Sequence, residues 1–254
     1  MKQDDPSAHL EATQAAAAES GVKGMIPIKR PFLEYVMSAL ADAGITKVVL
    51  VIGPEHTAIR QHFTVDAPPR RVEVAFAVQA EPIGTADAVV AAAETIGDEP
   101  FLVLNADNYY PVEAFRALAA SDTAGTIAFD RQALVNEGNI DVERVRAFAV
   151  LEVAADGRLT GIIEKPGDAL DLESDDARWV GMNVWAVTPA LVSACRRVAK
   201  SARGEFELPE AVGLALREGL PIRAIAMAAP VLDLSRRSDI AGVVRRLAHL
   251  DPRP

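Results

Sequence analysis

Short stretches of this chain set groups suited to phosphates and sugars just past apolar runs. "FLVLNADNYYP" places Asp107 after an aliphatic run. A carboxylate there can hold Mg²⁺, which takes one or two carboxylates plus phosphate oxygens. A loop or helix-cap role explains the same aspartate, because Asp and Asn favour both. "VLDLS" places Asp233 similarly, with a plain turn aspartate as its alternative. "GIIEKPG" places Glu164 and Lys165 at the end of another apolar run. The carboxylate can accept bonds from sugar hydroxyls and the ammonium can neutralise a phosphate; an exposed ion pair is the simpler account. In "VQAEPIGTADAV", the Gln79 amide carries both donor and acceptor and can read a base edge. Gly84 lets a backbone approach a flat ligand closely, although Pro82 and Gly84 suit a plain tight turn equally well. Each signal is weak alone, and their joint order carries the argument.

The elements that must position these groups alternate. "RPFLEYVMSALADAG" reads as a helix with Pro31 in its first turn and Gly44 as its stop. "KVVLVIG" is a buried strand, "HTAIRQHF" a short helix and "VEVAFAVQ" a strand ending at Gln79. "GTADAVVAAAETIG" is a helix with Thr85 as its cap, followed by the strand "PFLVLNAD" and the helix "VEAFRALAAS". Alternation with continuous apolar strands predicts an α/β fold, a mostly parallel sheet covered by helices on both faces. Ligands then bind beyond the carboxyl ends of the strands. After about residue 124 the pattern changes. "RAFAVLEVAADGRLTGIIEKP" reads as a hairpin around Ala155-Asp156-Gly157, and "WVGMNVWAVT" as a long strand. Such antiparallel additions often build the substrate side of a nucleotide site. A further alanine-rich helix is expected in "SAHLEATQAAAAESG".

The chain has 254 residues, 50% of them hydrophobic, enough for one sizeable core. We read a single domain whose pattern divides at about residue 124, into about residues 20–124 and about 125–254. A net charge of −10 argues against a nucleic-acid surface, which needs a basic face. It leaves room for a phosphorylated small substrate at a local positive site. The single Cys195 excludes a disulfide framework and reads as a small core residue. No apolar run reaches the roughly 20 residues of a membrane span. The N-terminus lacks a signal-peptide core, so no membrane association and a cytoplasmic location are expected.

"VKGMIPI…RPFLEYVMSALADAGITKVVLVIG", "QAEPIGTADAV", "FLVLNADNYY", "GIIEKPG", "VGMNVWAVTPAL", "GEFELPEAV" and "VLDLSRRSDIAGV" occur in this order. Together they resemble the sugar-1-phosphate nucleotidyltransferases, in particular glucose-1-phosphate uridylyl- and thymidylyltransferases, over about residues 20–250. The resemblance implies a Rossmann-like nucleotidyltransferase fold, with a nucleotide side over about residues 20–124 and a sugar-phosphate side over about 125–254. It also implies a Mg²⁺-dependent reaction in which a sugar 1-phosphate oxygen attacks the α-phosphate of a nucleoside triphosphate and pyrophosphate leaves. By the same resemblance, Lys23 contacts the triphosphate, Gln79 and Gly84 read the base, and Asp107 and Asp233 hold Mg²⁺. Glu164 binds sugar hydroxyls, Lys165 binds the sugar phosphate, and Asn183 lies on the strand facing the sugar. Lys23, Asp107 and Lys165 are the implied catalytic set, and relatives are often homo-oligomers. Gln79 suits a uracil or thymine edge, so UTP or dTTP is favoured.

The chain departs from the family pattern in places. Phe148-Ala149 stands where a Tyr-Gly pair often lines the sugar site, and Leu234-Ser235-Arg236 follows Asp233 in place of a Gly-Thr turn. Residues 1–22 contain neither the buried first strand nor the glycine-rich loop ending in Thr-Arg. That loop would wrap a triphosphate with backbone N–H groups. The expectation is that Met1 is an internal methionine, that the first strand is missing, and that this chain alone transfers weakly or not at all. An in-frame stop close upstream in the coding DNA would overturn it. The alternative is a non-catalytic relative that binds nucleotide-sugars.

Overall fold

The computed structural model describes residues 14, 22–171 and 174–254. Helix α1 (Phe32–Asp42) buries Phe32, Tyr35, Val36 and Leu40 along one face, as their spacing predicts. Pro31 is its N-cap and does not fall in the first turn. Strand β1 (Lys47–Ile52) pairs in parallel with β2 (Glu73–Val78). Between them lie α2 (Thr57–Gln61) and a π-type turn over His62–Asp66. Helix α3 (Thr85–Ile96) packs on both strands. Strands β3 (Phe101–Leu104) and β4 (Asn108–Tyr109), helix α4 (Val112–Ala119), strand β5 (Gly125–Asp130) and helix α5 (Arg131–Glu137) follow. Asp130 caps α5, its Oδ1 accepting from the N–H groups of Gln132 and Ala133. The hairpin β6 (Ala149–Val153)–β7 (Leu159–Ile163) turns at Gly157, whose φ of 81° suits glycine. The nine-residue β8 (Trp179–Val187) leads to α6 (Pro189–Arg197), α7 (Leu208–Arg217), β9 (Arg223–Met227), β10 (Leu232–Asp233) and α8 (Asp239–Leu247).

The α/β class holds, with helices covering parallel and antiparallel strands. One buried cluster gathers α1, α4 and α8 around Tyr110, Phe115 and Phe129, and another gathers α3, α6 and α7 around Trp185. The expected "mostly parallel" sheet is corrected. Among the described residues the only parallel strand pairs are β1–β2 and β5–β9. The cause is β8, which runs antiparallel to β3, β5 and β6. Along one edge it follows β5. Along the other it pairs with β3 through residues 184–187 and with β6 at residues 180 and 181.

The strands do not form one sheet. Among the described residues β1 pairs only with β2 and β3 only with β8. Both are wholly apolar past their first residue or throughout, yet residues 48–51 and Phe101–Leu104 are only half-buried. A strand of this composition is ordinarily covered on both faces. The alanine-rich helix expected over residues 7–21 lies outside the described residues apart from Gln14, which is buried and donates from Nε2 to Pro27 O at 3.1 Å. Cys195 is buried in the core, as expected, and burial pushes its thiol up to about 12.

Candidate active site

The loop after β3 carries Asn105, Ala106 and Asp107, and two cavities open on either side of it. The larger, about 390 Å³, is bounded by Lys23, Gly24, Leu50, His56, Asn105 and Asp107 among others. The C-terminal end of β1 and the segment after β3 therefore meet at the same wall. Lys23 opens a single 3₁₀ turn (Lys23–Met25), and its Nζ donates to Asp107 Oδ2 at 2.6 Å. Asp107 is 19% exposed, and its Oδ1 takes no hydrogen bond among the described residues. A phosphorylated ligand here would meet one ammonium and one carboxylate oxygen free to hold a cation.

The smaller cavity, about 180 Å³, is lined by Asn105, Glu164, Lys165, Met182, Asn183 and Asp233, together with Phe148 and Ser235. Asn105 is common to both cavities, so they adjoin. Lys165 Nζ lies 3.3 Å from Glu164 Oε1, at the end of β7. Lys165 (φ 45°) and Asn183 (φ 55°) are the only non-glycine residues with positive φ among those described. Both line this cavity. Backbone strain of about 1–3 kcal/mol per such residue persists where the surroundings enforce it, and it gathers at functional sites. At Asn183 the reason is visible. It lies where β8 leaves β3 and takes up β6, opposite the register shift in β5 between Thr126 and Ala128. The carbonyls at this kink are satisfied from the side: Tyr110 Oη donates to Met182 O at 2.6 Å, and Thr126 Oγ1 to Val184 O at 2.8 Å. Asn183→Ala is expected to lower stability by about 1 kcal/mol or more, since Asn tolerates this region better than other residues with a Cβ. Asn183→Gly should stay closer to the parent in urea denaturation.

Gln79 and Gly84 lie outside both cavity walls. Gln79 adjoins the larger one, its N–H donating to Ile52 O at 2.9 Å. Its side-chain Nε2 donates to Gly84 O and to Asp87 Oδ2, each at 2.9 Å. The need for glycine at position 84 arises within the chain: φ is 134°, and a Cβ would lie 2.6 Å from Phe206 N and closer still to Phe206 O. Thr85, expected as a cap, has another role. Gly84 is the N-cap of α3, and Thr85 Oγ1 accepts from Leu208 N–H at 2.8 Å.

Asp233 is 2% exposed and fully engaged. Oδ1 accepts from Asn108 Nδ2 at 2.9 Å and Ser235 Oγ at 2.8 Å, and Oδ2 is ion-paired with Arg144 Nη2. Asn139 brackets its main chain, donating to Asp233 O and accepting from Asp233 N–H, both at 2.8 Å. Burial pushes the Asp233 carboxyl above the usual carboxylate range; Arg144 and Ser235 pull it down, and Asp107 and Asp239 add to the rise. Asn105, Asn108, Asn139 and Arg144 were not singled out by sequence reasoning, and Ser235 was noted only as a departure from the family's turn after Asp233. Asn105 and Asn108 flank Asp107 and could have been found from that. Arg144 could not, because its partners lie 89 and 95 residues away.

Among the described residues, no three or more His, Cys, Asp or Glu side chains are grouped so as to hold a metal ion. No described helix is long and apolar enough to cross a membrane. The sequence profile of the nucleotidyl transferase family matches residues 20–229. The chain is 31% identical over 231 residues to UTP–glucose-1-phosphate uridylyltransferase AglF of Haloferax volcanii, covering 90% of this chain and 89% of that one. It is 28% identical over 207 residues to the low-salt glycan biosynthesis nucleotidyltransferase Agl11 of the same organism, covering 80% of this chain but only about half (54%) of that protein. A glucose-1-phosphate thymidylyltransferase of Streptomyces antibioticus is 28% identical, with 98% of this chain and 64% of that one covered. Among solved structures, UDP-glucose pyrophosphorylase complexed with UDP-glucose superposes with a TM-score of 0.72 at 16% identity, covering 89% of this chain and 90% of that one. Adjoining cavities, the ordered motifs and these matches agree, and the chain belongs to the nucleotidyl transferase family.

Proposed function

We propose that the chain carries the site for nucleotidyl transfer from a nucleoside triphosphate, UTP or dTTP foremost, to a sugar 1-phosphate, yielding a nucleotide-sugar and pyrophosphate. The observation that carries this reading is the pair of cavities meeting at Asn105, with Lys23–Asp107 on one side and Glu164–Lys165 on the other. Phosphoryl-type transfer asks little covalent work of a protein and much positioning and charge neutralisation. Lys23 would neutralise the triphosphate and Lys165 the sugar phosphate, and Glu164 and Asn183 would orient the sugar hydroxyls. Gln79, with Nε2 spent on Gly84 and Asp87, keeps Oε1 to accept from a base N–H, which uracil and thymine offer at N3. The residues fit Mg²⁺ at Asp107, whose Oδ1 is uncommitted. When bound, the ion would supply charge neutralisation to phosphate oxygens, completed by those oxygens and water.

A second reading, a nucleotide-sugar-binding relative without transfer activity, is favoured by one observation: among the described residues β1 and β3 each leave one edge unpaired. Backbone donors carried by a strand and loop there would each contribute about 10²-fold in rate. Pyrophosphate release should be measured with UTP, dTTP, GTP, CTP and ATP and several sugar 1-phosphates. It should be run on this chain and on one lengthened by a strand and glycine-rich loop. Release by the lengthened chain, and a loss of about 10²-fold or more on Asp107→Asn, are expected under the transfer reading. No release with any combination would leave the binding reading standing.

A further inference from the structure

Asp107 and Asp233 are not equivalent carboxylates. Asp107 sits in a cavity wall with one oxygen free, whereas each oxygen of Asp233 already has a donor. The donor at Oδ2 is itself a cation. The Arg144 guanidinium, 6% exposed, also grips Asp239 through two bonds, Nη1 to Oδ1 at 2.6 Å and Nη2 to Oδ2 at 2.9 Å. Asp239 lies in the first turn of α8, and its Oδ2 accepts in addition from Arg236 N–H at 2.7 Å. One guanidinium thus balances a carboxylate from β10 and another from α8. Burial works against the Arg144 charge, and the bonds to Asp239 and the field of Asp233 outweigh it, so its proton is held more firmly than usual. A divalent cation sharing Asp233 Oδ2 would meet a fixed positive charge at hydrogen-bond distance inside a low-dielectric region, where like charges repel strongly.

We propose that Arg144 is the resident counter-cation of Asp233, so that Asp107 alone supplies this chain's carboxylate to a divalent cation, while Asp233 serves as a buried anion joining β10, β4 and the Val142–Ala147 turn. The inference rests on the reading of Asp107 as the cation site given above. It also gives Arg144 a place in the architecture. Val142–Ala147 runs directly into Phe148 and Ala149, which line the smaller cavity beside Asp233 and Ser235. The Arg144–Asp233 pair therefore fixes that wall against the Asn105–Asp107 loop, to which it is tied through Asn108 and through Leu234 N–H donating to Asp107 O at 2.8 Å.

The test is water-proton relaxation of Mn²⁺ titrated into the full chain with UTP, using Mn²⁺ in place of Mg²⁺. Asp107→Asn is expected to weaken the ternary complex at least tenfold, and Asp233→Asn to leave it within about threefold. A tenfold loss in a folded Asp233→Asn protein would overturn the Arg144 assignment. An unchanged affinity in Asp107→Asn would instead remove the reading of Asp107, so the two failures are told apart. If Asp233→Asn does not fold, the double variant Arg144→Met/Asp233→Asn, which removes both charges, is read by the same thresholds. A further arm needs no nucleotide. Arg144→Met frees Asp233 and Asp239, so Mn²⁺ should raise its melting temperature by several degrees more than it raises that of the parent or of the double variant, in which Asp107 alone remains to bind. A folded Arg144→Met protein that gains no more from Mn²⁺ than the parent would count against Arg144 as the group that excludes the ion.

Discussion

Arg144→Ala is expected to lower unfolding stability by about 3–5 kcal/mol at neutral pH, the usual cost of breaking a buried ion pair by removing one partner. Two carboxylates, Asp233 and Asp239, would be left buried without their guanidinium. The effect has a pH signature. The Asp233 carboxyl already lies above the usual carboxylate range through burial, and Arg144 is what restrains it. Without Arg144 it rises further. A group whose folded pKa exceeds its unfolded value contributes stability that is present at low pH and lost as pH climbs through the folded value. The variant should therefore recover part of its deficit when pH is lowered from about 7 towards the raised Asp233 value, while the parent gains little over the same range. Urea denaturation of both proteins at several pH values measures this. A deficit that is constant or grows on acidification would mean that the cost comes from lost packing and not from uncompensated charge.

Gly84→Ala should rival it, at about 3 kcal/mol or more. Two penalties combine. The φ of 134° is open to glycine and strained for any residue with a Cβ, at about 1–3 kcal/mol. The new methyl would also collide with the Phe206 main chain. That backbone cannot simply give way, since Phe206 N–H donates to Ile83 O and Phe206 O accepts from Ala86 N–H, both at 2.8 Å. For a domain of this size each kcal/mol moves the midpoint by about 2–4 °C, so calorimetry should show a fall on the order of 10 °C. A fall of a degree or two would mean that α3 and the Phe206 segment separate freely. Gln79 Nε2 donates to Gly84 O, so the same substitution should disturb the amide proposed above to read the base as well.

These residues show what was legible in the sequence. The helices and strands were, because hydrophobic period and Gly/Pro punctuation are local: α1, β1, α3, the hairpin at Gly157 and β8 fall where the pattern placed them. Strand direction was not, since "WVGMNVWAVT" carries no sign of which neighbours it joins, and β8 reverses the sheet. Candidate residues did gather: Glu164, Lys165 and Asp233, found at strand ends, line one cavity together with Asn183 from within β8, and Asp107 lines the next together with Lys23, Asn183 and Lys23 having been marked only by the family resemblance. Gly84 was singled out for a flat ligand, and the chain itself supplies the object that comes close. Arg144 was silent because a buried ion pair is a fact about distant segments, and nothing in "DVERVRAF" distinguishes one arginine from the next.

The division between β1 and β3 has a consequence for how the molecule behaves among its own copies. Each of those strands offers a row of main-chain N–H and C=O groups with no partner among the described residues, set in apolar sequence and half-open to water. Such edges are templates for pairing with another chain, and natural proteins usually blunt them with charge, proline or a cover. Here "VVLVI" and "FLVL" carry no charge and no proline. Colloidal behaviour at high concentration thus depends on what lies along those two edges, and whatever covers them would act as a gatekeeper against aggregation.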